Sequence, residues 1–64
     1  MSQDQVIEAY AELLLNSDAE NEKYGLTSNR TSAQLFELGQ AMTREEIKEA
    51  IQLYHRIKPQ TQSA

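Results

Sequence analysis

Almost nothing in this chain lets a strand turn back on itself, while its apolar residues return at the spacing of a helix. Gly25, Gly39 and Pro59 are the only glycines and proline among 64 residues, and β-branched residues rarely stand side by side. Hairpins need such residues at their turns and in their strands, whereas Ala, Leu, Glu, Gln and Lys, plentiful here, favour helix. The fold class that follows is all-α: a small three-helix domain with helices over about 3–24, 32–41 and 44–58.

The first helix opens on Ser2 and Gln5, the spacing of a capping box in which hydroxyl and amide satisfy two free backbone donors. Val6, Ile7, Tyr10, Leu13 and Leu14 then fall on one stripe at about 100° per residue, and Leu15 falls roughly opposite. Asn16 and Ser17 could stop the helix. Alternatively it runs to Tyr24 and ends where Gly25 takes a left-handed cap with Leu26 folding back, which Ala19, Glu20, Glu22 and Lys23 favour.

Leu26 to Arg30 reads as a loop, and Thr31 with Gln34 as a second capping box that starts the second helix. That helix carries Leu35, Leu38 and Met42 on one face with Phe36 beside them. Gly39 within it costs up to about 1 kcal/mol relative to alanine, or serves as a point of close helix contact. Thr43 and Glu46 form the clearest capping box in the chain, and Glu45 and Glu46 both meet the positive end of the third helix's dipole. Ile47, Ala50, Ile51, Tyr54 and Ile57 make its stripe; His55, Arg56 and Lys58 suit its last turn before Pro59 blocks continuation. A single domain over residues 1–58 and a disordered tail over 59–64 are expected.

A domain of this length hides only about 60% of its unfolded surface and is marginal without help. The absence of cysteine excludes disulfides and thiolate zinc sites, and His55, the sole histidine, cannot make an imidazole-rich metal centre. Self-association, as a homodimer, is the remaining common remedy. The polar start Met1 to Gln5 lacks the basic and apolar regions of a secretory signal, and no apolar run approaches about 20 residues. A cytoplasmic protein without membrane contact is expected.

Chemistry finds little purchase here. His55 sits at a helix end, where dipole stabilisation accounts for it, and Glu45, Glu46 and Glu49 are explained by capping and solvation. The acidic stretch from Asn16 to Glu22 fails as a calcium loop, because Asn21 stands at the turn-glycine position and Thr27 where the bidentate glutamate belongs. No phosphate loop, dinucleotide fingerprint or nucleophile elbow is present. The expectation is a non-enzyme with no cofactor, no metal and no small-molecule substrate.

Ten acids against six bases give a net charge of -4, which disfavours general nucleic-acid binding. The distribution is uneven, however: residues 30–64 hold five bases and four acids. A helix-turn-helix is therefore the alternative, with Gly39 at the turn and Arg44, Lys48, Arg56 and Lys58 meeting DNA. Against it, Gln40 to Thr43 is long for a tight turn, and Glu45, Glu46 and Glu49 would face phosphates.

Leu15 and Leu53 lie beyond the main stripes of the first and third helices. Together with Tyr10, Leu14, Phe36 and Tyr54 they widen the apolar arc beyond what one three-helix layer covers, and mark a protein interface. The reading that follows is a small acidic helical interaction module, a bacterial or phage regulatory or accessory factor that binds a protein partner, itself or another.

Overall fold

A computed structural model describes residues 2–58; the expected tail, 59–64, lies outside the described residues. Three helices follow one another: α1 over Gln3–Tyr24, α2 over Asn29–Gln40 and α3 over Arg44–Ile57. The expected all-α, three-helix architecture is the one observed.

α1 begins as its capping box requires, with the Gln5 N–H donating to Ser2 Oγ at 3.3 Å and the Ser2 N–H to Gln5 Oε1 at 3.1 Å. Asn16 and Ser17 do not interrupt it. It runs the full 22 residues, about 33 Å at 1.5 Å per residue, and sets the 35 Å long dimension of the molecule. Gly25 ends it at φ 82°, donating its N–H to the Asn21 carbonyl at 2.8 Å. Leu26 does not fold back onto the helix as expected; it is 62% exposed. Polar bonds secure the chain past Gly25 instead: Ser17 and Thr27 hydroxyls meet at 2.8 Å, and Ser28 and Thr31 are bonded to Glu20.

α2 starts three residues earlier than the sequence suggests, because Ser28 and not Thr31 is its N-cap. Ser28 Oγ accepts the Thr31 N–H at 3.2 Å, so Thr31 sits in the first turn of the helix and is buried. Gly39 also departs from the helix-turn-helix reading. It lies inside α2, while the turn spans residues 41–43. The Tyr10 ring packs over it, with Cε2 3.5 Å from where a Cβ would stand, so the close-contact role is the one observed. α3 opens on the expected Thr43–Glu46 box, with bonds of 2.8 and 3.1 Å. It ends at Ile57, one residue short of the expected bound, because Lys58 is extended (φ -60°, ψ 130°) as the residue before a proline must be.

The helices run up, down and up. Glu20 meets Thr31 at one end of α1 while Tyr10 meets Gly39 nearer the other, so α1 and α2 are antiparallel. Asp18 meets Tyr54 and Lys58 while Ile7 clusters with Ala50, so α3 runs back alongside α1. α1 packs against both partners, whereas α2 and α3 barely touch each other. The buried centre is small: Ile7, Ala11, Met42 and Ala50, ringed by half-buried Val6, Tyr10, Leu38, Ile47 and Leu53.

The two glycines should respond to alanine with opposite signs. Gly25→Ala forces a side chain into the left-handed region and should lower stability by about 1–2 kcal/mol. Gly39→Ala meets only ordinary contact with Tyr10 and removes a helix-propensity penalty, raising stability by up to about 1 kcal/mol. Urea unfolding midpoints check both; a loss of stability with Gly39→Ala would contradict the packing described.

Candidate protein-binding site

The six apolar residues expected at an interface do not share one face. On α1, Tyr10 and Leu14 are one turn apart and turn toward the space between α2 and α3, as the seating of Tyr10 on Gly39 requires. Phe36 on α2 and Tyr54 on α3 border the same space. Leu15 lies about 100° around α1 from Leu14 and about 140° from Tyr10, and Leu53 lines a different groove beside Ile7. Leu53 packs on the core and Leu15 is half-buried.

Among the described residues, nothing fills the space between α2 and α3, which make few contacts with each other. The two helices leave the buried Met42 at the turn and make almost no further contact, so α1 forms a floor between two walls. Phe36 stands on the α2 wall at 67% exposed, with half-buried Leu35 near it. On the α3 wall, Ile47 packs inward on the core, and Ile51, one turn on, is 41% exposed. Ile51, Ile47 and Leu35 complete this face. Their spacing was visible as core periodicity, but the divergence of α2 from α3 leaves Ile51 exposed and Ile47 and Leu35 only half-covered.

The bases expected to meet DNA divide in the same way. Arg44 and Lys48 are exposed, one turn apart, and share an outer row on α3 with Ile51 and His55. Arg56 lines a groove between α1 and α3 with Asp4, Glu8 and Glu49. Lys58 reaches back to α1, with Nζ 3.5 Å from the Asp18 carboxylate and 5.3 Å from the centre of the Tyr54 ring. Tyr54 donates its hydroxyl to the same carboxylate. The Tyr54 hydroxyl, and after it Asp18, raise the Lys58 pKa above the ordinary lysine value.

A second groove, about 510 Å³, lies between α1 and α2 on the side away from α3. Ala9, Leu13, Leu38 and Ala41 form its apolar surface, Glu12 and Glu37 its charges, and no base lines it. No helix among the described residues is long and apolar enough to cross a membrane, and no group of three or more His, Asp or Glu side chains among them could hold a metal ion.

Polar bonds attach the start of α2 to α1. Glu20 accepts the Ser28 N–H at 2.9 Å through one oxygen and the Thr31 hydroxyl at 2.8 Å through the other. Thr31 is the one buried residue of the helix. The Ser28 backbone donor, then the Thr31 hydroxyl, hold the Glu20 pKa below the ordinary carboxylate value, outweighing partial desolvation.

Comparison with protein-family models, with curated proteins and with solved structures finds no significant match to this chain.

The Glu20 tie makes stability depend on pH with a definite sign. Its pKa is lower folded than unfolded, so the contribution is complete above the unfolded carboxylate range, about 4.3, and is lost as pH falls through the folded value. Glu20→Gln should therefore melt below the parent protein at neutral pH, and the gap should close as the pH drops under about 4. Thermal unfolding of both proteins across that range checks it; a constant gap would show that the carboxylate charge contributes nothing.

Proposed function

We propose that this chain is a non-catalytic protein-binding module, a small acidic helical factor that regulates or assists by docking another polypeptide. The observation that carries this reading is the apolar face between α2 and α3 that no described residue covers, above all Phe36 at 67% exposed. A large aromatic residue on the rim of an open cleft contributes little to a monomer's own core, and interfaces are where such residues concentrate.

Self-association is a second reading, supported by the thinness of the core. Of the four buried apolar residues two are alanines, and no large side chain is fully buried. Domains of this size commonly gain stability from a second copy.

Two measurements test these readings. Phe36→Ser should leave the melting temperature of the dilute protein within about 0.5 kcal/mol of the parent in stability terms, while abolishing retention of partner proteins from the native host on an immobilised column. Identical retention by parent and variant would reject the cleft as the binding face. Equilibrium sedimentation reads the second: a homodimer gives a mass near twice 7.3 kDa and a melting point that rises with concentration, whereas a single-chain mass at every concentration rejects it.

A further inference from the structure

We infer that the cleft between α2 and α3 binds an amphipathic helix of a partner protein whose apolar face is flanked by acidic residues. This rests on the protein-binding reading above and commits it to one class of ligand.

The shape asks for a helix. Two short helices that diverge from Met42 across a longer one leave a trough with Tyr10 and Leu14 on its floor and Phe36 and Ile51 on its walls. A docked helix would complete a four-helix arrangement and bury all four against its own i, i+3, i+4 residues.

The charges choose the flank. Along the α3 rim, Arg44, Lys48 and His55 stand in one row with Ile51, and no carboxylate belongs to that row. The α2 rim near Phe36 carries Ser32 and Gln40, both uncharged. Of the acids, Glu12 and Glu37 line the groove on the far side of α2, Asp4, Glu8 and Glu49 line the groove on the far side of α3, and Asp18, the carboxylate that reaches this face beside Tyr54, is already paired with Lys58. A chain of net charge -4 therefore presents bases beside its open apolar face. A ligand with carboxylates along one edge complements that row. A second copy joined by a two-fold axis presents the same face, with the same bases and with Asp18 already paired to Lys58, and so lacks this complement.

The test uses the whole chain and three fluorescent peptides of about 18 residues, or about five helical turns. One places leucines on one face with glutamates flanking; another keeps the leucines and replaces glutamate by lysine; the last shuffles the first so that its leucines no longer share a face. Fluorescence anisotropy should show the ordered Leu/Glu peptide binding about tenfold or more tightly than either of the others. That ranking is the reverse of what the net charge alone would give. Phe36→Ser, and separately the pair Arg44→Gln and Lys48→Gln, should each weaken binding about tenfold; Glu12→Gln with Glu37→Gln should leave it unchanged. Circular dichroism confirms that these surface variants stay folded.

Preference for the Leu/Lys peptide, equal binding of the shuffled one, or indifference to Phe36→Ser overturns the inference. So does a dimer in sedimentation that dissociates with Phe36→Ser and excludes the peptide. In that last case the protein-binding reading stands and only the choice of ligand falls; if the parent chain also retains nothing from the native host and sediments as a single chain, both fall.

Discussion

The carboxylate of Glu20 does for α2 what Glu46 does for α3, but it reaches across from another helix. In α3 the N-cap residue Thr43 and its reciprocal partner Glu46 are three residues apart, so the capping box closes within one turn. In α2 the third position holds Thr31, which offers a hydroxyl and no carboxylate. The N–H of Ser28 is met instead by Glu20, which also takes the Thr31 hydroxyl. The interaction that starts α2 is thus the same one that attaches it to α1.

Such an attachment matters because the apolar alternative is slight. Fully burying a large aliphatic side chain contributes about 1.5–3 kcal/mol, and only Ile7 and Met42 approach that here; a good N-cap contributes about 0.5–2 kcal/mol. Caps and helix-to-helix bonds therefore weigh as much as the core. α1 holds both shorter helices, through Glu20 and the Tyr10–Gly39 contact on one side and through Ala11, Ala50 and the Asp18–Tyr54–Lys58 group on the other. Because each is secured to α1 and neither to the other, no force closes the space between them. The open cleft is a consequence of where the polar bonds fall.

What could be read from the residues was whatever is settled within a turn or two of chain. The boxes at Ser2 and Thr43, the left-handed glycine after Tyr24 and the stop before Pro59 are all local, and all stand where the spacing puts them, the last to within one residue. The start of α2 was misplaced because its decisive acceptor lies eight residues upstream on a different helix, and Thr31 with Gln34 imitates a box that does not form. Leu15 and Leu53 stood out as surplus greasy residues because a wheel assumes one buried side. α1 is covered on two sides, so its apolar arc is wide and Leu15 is half-buried within it. Phe36 was legible as surplus for the opposite reason: α2 is covered on one narrow side only. Ile51 was hidden in the periodicity of α3, since periodicity reports a face and not what lies opposite it.

Net charge is a poor guide to what a molecule this size attracts at short range. At physiological ionic strength a charge is screened over about 8 Å, while even the thinnest dimension of this protein is 17 Å. A ligand docked in the cleft as proposed would meet Arg44 and Lys48 at close quarters, and Glu12 and Glu37 only through the body of the protein and a screening solvent. At about 4 Å even a fully solvated pair interacts by about 1 kcal/mol, and partial burial beside Ile51 strengthens it. The excess of acids sets a long-range repulsion, which would govern how often the acidic ligand proposed for the cleft arrives. The row on α3 would govern how long it stays.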